Sequence, residues 1–200
     1  MAAVTLAGMP FPLRWLSPPA AWSHAQDVLT IDAGPRTDWF VDPGGSSAPV
    51  LTAPALVGSA DGDFMLKARV HVDFAATFDA AALIVHAGER AWAKLCLERS
   101  PQAEPMVVSV VTRGVSDDCN SQLVDGDSIW LRISRLGAAF ALHASMDGSL
   151  WQLVRHFALD RVETVAIGFL AQSPLGEGCR ASFDEIGFDS RRLGDLRSGA

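Results

Sequence analysis

The sequence predicts an all-β fold, a sandwich of two antiparallel sheets. Three observations carry this: short runs alternating apolar and polar residues, glycine-bearing turns between them, and no helical pattern of four turns. Asp27 to Ile31 is the first expected strand, ended by Gly34-Pro35. Phe64 to Val72 alternates cleanly, with Phe64, Leu66, Ala68, Val70 and Val72 on one side and Lys67, Arg69 and His71 on the other. Ala80 to His86 is almost wholly apolar, as a central strand covered on both faces would be. The series continues through Ala91–Glu98, Met106–Arg113, Ser128–Arg135, Ala139–Ser145, Leu150–Phe157, Val162–Ala171 and Arg180–Phe188.

The connections have turn chemistry. Ala87-Gly88-Glu89-Arg90, Asp125-Gly126-Asp127, Leu136-Gly137 and Asp147-Gly148-Ser149 each place a glycine where a tight reversal needs positive φ. Asp42 to Ala55 is rich in Pro, Gly and Ser and reads as a long loop within the domain. About ten strands without helices leave a sandwich or a barrel, and the sandwich is the expectation. The chain is read as one domain over residues 1–200, with its core at about 22–188 and a polar tail from Ser190 expected to fray. Phe64, Leu66, Leu95, Leu97, Ile133, Leu142 and Ile167 are expected between the sheets.

Bulk composition narrows the function. Hydrophobic residues make up 49% and charged residues 20%, a globular balance. The net charge of −7 argues against a nucleic-acid partner, which needs a clustered basic face. No run approaches the ~18 apolar residues of a membrane helix, and the N-terminal segment lacks the basic and apolar regions of a signal peptide. Cys96, Cys119 and Cys179 fit neither a disulfide framework nor a CxxC metal site, so reduced thiols and a cytoplasmic location are expected. Oligomeric state is not encoded in any pattern.

Candidate site residues come from strand parity. Trp92, Lys94, Cys96 and Glu98 share one face of their strand, opposite Ala93, Leu95 and Leu97. The next strand offers Ser109 and Arg113 or Val108 and Thr112. Trp130, Arg132 and Ser134 oppose Ile129, Leu131 and Ile133, and His143, Ser145, Trp151 and Arg155 follow. An indole takes the apolar side of a sugar ring while charged groups fork onto its hydroxyls. We therefore expect Lys94, Glu98, Arg132 and Arg155 to converge on one polar site on a concave sheet face, with Trp39 at its rim and Trp151 nearby. The competing reading is a solvated cross-strand charge network.

Other chemistries find little support. A pair of glycosidase carboxylates on one strand, as in E-x-D-x-x-E, is missing; Asp184-Glu185 are adjacent and expected on opposite faces, and Asp117-Asp118 are expected in a loop. His24, His71, His86, His143 and His156 show no HxH or HExxH spacing, so no metal or other cofactor is expected. A calcium site from Asp61, Asp63 or Asp184 cannot be assembled from spacing. No phosphate loop, GxSxG elbow or Cys-His pairing stands out.

An ordered set of short motifs resembles one bacterial and fungal domain family of unknown function. It runs through Thr37-Asp38-Trp39-Phe40, Phe78-Asp79-Ala80-Ala81-Ala82-Leu83, Trp92-Ala93-Lys94-Leu95-Cys96-Leu97-Glu98, Ser116-Asp117, Leu131-Arg132-Ile133-Ser134-Arg135, Met146-Asp147-Gly148-Ser149-Leu150-Trp151, Ala171-Gln172-Ser173-Pro174 and Phe183-Asp184. The family includes a fungal protein described as a regulator of enolase. The resemblance spans about Trp22 to Phe188 and implies a concanavalin A-like jelly roll of the lectin and glucanase type, with a ligand face. The enolase-regulating role of one branch is not carried over. Where the family has an aromatic after the Ser-Asp pair, this chain has Asp118-Cys119.

Three functions remain open from sequence. The first is a non-catalytic module binding a saccharide or similar polyol through Trp39, Lys94, Glu98, Arg132, Trp151 and Arg155. The second is a sugar hydrolase or lyase with Glu98 as its acid/base. The third is a protein-interaction domain using an open sheet face.

Overall fold

A computed structural model describes residues 2–159 and 163–200; Met1 and Val162, the latter expected to open a strand, lie outside them. Two seven-stranded antiparallel sheets pack face to face. The first has the order β1 (Arg14–Ser17), β6 (Ala55–Asp61), β15 (Thr164–Gln172), β8 (Ala80–Gly88), β9 (Ala91–Arg99), β10 (Pro105–Arg113) and β11 (Val115–Leu123). The second runs β14 (Gln152–Ala158), β13 (Ala139–Ser145), β12 (Ser128–Leu136), β7 (Phe64–Asp73), β16 (Cys179–Asp189), β3 (Val28–Ala33) and β2 (Ala21–Ala25). A two-stranded ribbon of β4 (Trp39–Phe40) and β5 (Val50–Leu51) completes the fold. No helix occurs among the described residues.

Period-2 alternation builds the layer between the sheets. Phe64, Leu66, Leu95, Leu97, Ile133, Leu142 and Ile167 all lie in one buried cluster, each fully removed from solvent. A one-residue slip of any of these strands would turn its apolar set outward, so the pattern fixes register as well as face. At the Asp147-Gly148 turn, Asp147 Oδ1 accepts from the backbone of Ser149 and Leu150, both at 2.8 Å, and Gly148 adopts φ 73°.

A second buried cluster forms on the outward face of the first sheet. Ala80, Ala82, Ile84, Trp92, Cys96, Val108, Val110 and Leu170 pack there beneath Trp39, Ala53 and the surrounding loop. The Pro/Gly/Ser segment, with the β4–β5 ribbon that brackets it, thus acts as a cover over an apolar floor. This explains why Ala80–His86 lacks alternation: both faces of β8 are covered.

Two expectations are corrected. Asp117-Asp118 belong to β11 and not to a loop; as an edge strand, β11 is largely exposed on both rows and carries few apolar residues. The tail from Ser190 folds back over the outward face of the second sheet: Leu193 is buried, Arg132 donates to the Gly199 carbonyl at 2.7 Å, and a ring nitrogen of His143 sits 2.9 Å from the Leu196 carbonyl.

Candidate functional site: a polar pocket on the first sheet

The pocket stands over a gap in the apolar floor. On β8, Ala80 is flanked in register by Glu98 of β9 and Gln172 of β15. Its methyl group leaves space above it, so the longer side chains of the flanking strands meet across β8. Lys94 Nζ donates to Gln172 Oε1 at 2.6 Å and to Asp38 Oδ1 at 3.1 Å. Gln172 Nε2 turns to the Phe78 carbonyl at 3.3 Å and makes a long contact with Glu98 Oε2 at 3.5 Å. Asp38 comes from the segment entering β4. Asp118 and Asn120 come from β11, where pairing with Val110 and Val108 puts them on the Lys94 side.

Together Asp38, Phe40, Phe78, Lys94, Glu98, Met106, Asp118, Asn120 and Gln172 line a cavity of about 350 Å³, with Pro101 and Pro174 also at its wall. Three carboxyl groups thus face one ammonium, and burial shifts two of them, Glu98 and Asp118. Loss of solvent pushes the Glu98 carboxyl up to about 8, with Lys94 opposing and Asp118 and Asp38 reinforcing the shift. Burial likewise raises the Asp118 carboxyl above its ordinary value. For Lys94, burial works against the charge, but the acidic groups around it, Asp38 first, outweigh that and hold the ammonium above its usual value. At neutral pH the pocket therefore presents an ammonium paired with Asp38 and a largely protonated Glu98.

One wall is held in a strained conformation. Phe78 has φ 68°, a region bulky side chains avoid. The neighbouring carboxylate enforces it. Asp79, fully buried, accepts from the backbone of Ala75 at 2.8 Å and Ala76 at 2.7 Å and from the Ser173 hydroxyl at 2.6 Å. The Phe78 amide also donates to the Arg99 carbonyl at 2.8 Å.

Of the expected site residues, Lys94 and Glu98 share this pocket, and the others stand elsewhere. Arg132 lies on β12 and points outward from the second sheet, where its guanidinium carbon sits 4.2 Å from the Trp151 ring centroid. Arg155, on the edge strand β14, reaches across to the first sheet, pairing with Asp117 at 2.8 Å and donating to the Asp117 carbonyl at 3.1 Å. The expected four-residue convergence therefore fails, because strand parity selects a face of a strand while a sandwich has two outward faces. Trp39 is also corrected: it is 4% exposed, not at a rim. Its indole donates to the Ala53 carbonyl at 3.0 Å and packs edge-on against Trp92 and His86.

Sequence reasoning missed Asp38, Asp118, Asn120 and Gln172. Asp38 and Gln172 fall within the resembling motifs, and the period-2 pattern of β11 was hidden by its polarity. The open parity of β10 resolves to Val108 and Thr112 on the Lys94 side. Directly after Ser116-Asp117, the Asp118 carboxyl enters the pocket.

Asp184 and Glu185 are corrected too. A register break between Asp184 and Gly187, with Glu185 at φ 47°, brings both carboxylates to Arg69. Asp184 Oδ1 lies 2.7 Å from Arg69 Nε and Glu185 Oε1 lies 3.7 Å from Arg69 Nη1. Asp63 is committed to the Gly137 amide at 2.6 Å and to Arg192 at 3.3 Å.

No curated protein gave a significant sequence match. A functionally unknown protein from Saccharomyces cerevisiae superposes with a TM-score of 0.83 at 22% identity, covering 90% of this chain and 96% of that one. A GH43 protein from Bacillus licheniformis superposes with a TM-score of 0.68 at 14% identity; 90% of this chain matches 37% of it. The carbohydrate-binding module CBM66 from Bacillus subtilis superposes with a TM-score of 0.56 at 12% identity, over 88% of this chain and 95% of the module. At these identities the likeness is one of fold. Residues 15–191 match the family model described as "Protein of unknown function (DUF1349)", and the chain belongs to that family.

Proposed function

We propose that the pocket on the first sheet binds a saccharide or similar polyol without transforming it. The observation that carries this reading is the lining itself. Carboxyls of Asp38, Glu98 and Asp118 and the amides of Asn120 and Gln172 surround a cavity that also offers the rings of Phe40 and Phe78. Hydroxyl groups both donate and accept, and so match a mixed set of carboxylate, protonated carboxyl and amide. The rings suit the C–H faces of a pyranose. The cavity falls in the range of small-molecule sites, about 300–1,000 Å³, and the fold is shared with a carbohydrate-binding module.

One feature supports catalysis as a second reading. Glu98, with its carboxyl near 8, is available as a proton donor at neutral pH beside two further carboxyls. Release of reducing ends from oligosaccharides would distinguish a hydrolase from a binder.

The test is a thermal-shift and glycan-array screen of the wild type, Glu98→Gln, Asp118→Asn and Arg155→Ala. Binding is expected to weaken in the first two variants and persist in Arg155→Ala, which lies outside the pocket. If no saccharide stabilises the wild type, or if both pocket variants bind unchanged, the assignment fails.

A further inference from the structure

The outward face of the second sheet carries cations that no carboxylate answers. Arg132 of β12 and Lys67 of β7 stand directly opposite each other in register, with side chains on the same side of the sheet. Like charges so placed repel. Neither makes an ion pair among the described residues. Lys67 is exposed, whereas Arg132 is only 6% exposed.

Arg132 is also precisely held. Its guanidinium stacks on Trp151, one Nη donates to the Gly199 carbonyl at 2.7 Å, and its buried Nε finds no acceptor among the described residues. Burial lowers its pKa to about 10. His143, paired with Arg132 across β12 and β13, spends one ring nitrogen near the Leu196 carbonyl, and its buried Nδ1 has no partner among the described residues. A cavity of about 320 Å³ opens beside these groups, lined by Met65, Lys67, Arg132, Trp151, Phe188 and Asp189. The Asp189 carboxylate is committed to Arg191, with Nε–Oδ2 at 2.8 Å.

We propose that this cavity binds a small oxyanion, the carboxylate or phosphate of a small molecule, between Lys67 and Arg132. Burying a guanidinium is costly unless an anion and full hydrogen bonding compensate it. In the structure a neutral carbonyl, that of Gly199, holds only part of its donor fork. The Trp151 ring fixes the plane of the fork for bidentate recognition, while Lys67 supplies a mobile point charge. The tail holds Arg132 in place: Asp195 accepts from the amides of Arg197 and Ser198, at 2.9 and 2.7 Å. Gly199 fits because a Cβ there would come within 2.6 Å of both Arg132 Nη2 and Trp151 Cβ. This site is independent of the first-sheet pocket.

The test titrates the full chain with inorganic phosphate, glucuronate and glucose at constant ionic strength against a chloride control, by calorimetry and thermal shift. Phosphate or glucuronate is expected to bind above the chloride control. Lys67→Gln is expected to weaken binding about tenfold, the scale of one charged hydrogen bond, and Arg132→Gln to abolish it. Lys67 is exposed, so its variant remains informative if Arg132→Gln folds poorly. Response to phosphate alone, or to glucuronate but not to glucose, identifies the oxyanion and supports the site. No anion response in the wild type, or equal binding by wild type and both second-sheet variants, would overturn the proposal.

Discussion

Gln172 Oε1 accepts a hydrogen bond from Lys94 Nζ at 2.6 Å across the full width of β8. The contact exists because the intervening strand has alanines, Ala80 and Ala82, at its outward positions. One carboxamide thereby joins the ammonium to Glu98, and Asp38 completes the group from the covering segment. The core between the sheets sets the strands; two small residues on their reverse side make the pocket.

Removing the ammonium should expose this dependence. Lys94→Met leaves Asp38 and Glu98 without their cation and is expected to destabilise the fold by about 3–5 kcal/mol. The loss should be greater at pH 9 than at pH 6, because Glu98 ionises on passing its raised value of about 8. Urea unfolding at the two pH values measures both effects. Equal losses would show that Glu98 and Lys94 are not coupled.

Glu98 also gives a pH signature of its own. Its folded value of about 8 stands above the ordinary 4.5, so between those values the folded state binds more protons than the unfolded. Its contribution is fully present below about 4.5 and is lost as pH rises through about 8. Glu98→Gln should flatten the decline of stability over that window. Thermal unfolding at intervals from pH 4.5 to 9 tests this, and parallel curves for the two proteins would contradict it.

Asp79 is expected to be worth more than its distance from solvent-facing chemistry suggests. Asp79→Ala frees the buried Ser173 hydroxyl and two half-buried backbone amides. At about 1–3 kcal/mol for the buried hydroxyl and less for each half-buried amide, a loss of about 2–4 kcal/mol is expected. The Phe78 wall should relax with it, so saccharide binding should fall further than in a core variant of similar stability loss such as Ile167→Ala. Matched thermal and binding measurements on the two variants separate these effects.

Much of the fold was legible because alternation is a local signal. β7, β9 and β12 each show their inner and outer rows in the sequence, and Lys94 and Glu98 followed from the parity of β9. Arg132 and Arg155 misled because nothing local states which sheet a strand joins. Strand order fixes that, through pairings such as Ala80 with Glu98 and Lys67 with Arg132, distant in the chain. Asp118 was hidden because an edge strand needs few apolar residues, and Asp38 because its place depends on how a Pro/Gly/Ser segment lies over a sheet.

Trp39 illustrates the same limit and carries the last prediction. Its place beside a loop suggests a ligand-facing ring, yet it fills the space between the covering segment and the outward face of β8 and β9. Trp92 and His86 approach it edge-on at 5.5 and 5.6 Å. A variant keeping only Trp39 should therefore resist acrylamide quenching with no ligand present. Trp39→Phe keeps most of the apolar volume but leaves the Ala53 carbonyl without the indole donor, a loss of about 1–3 kcal/mol. Trp39→Ala opens a cavity as well and should cost about 3–5 kcal/mol. Because Asp38 and Phe40 flank it and line the pocket, Trp39→Ala should also weaken saccharide binding while Trp39→Phe largely preserves it. If the ring instead quenches freely, or if Trp39→Ala is as stable as the wild type, the covering segment does not anchor through Trp39.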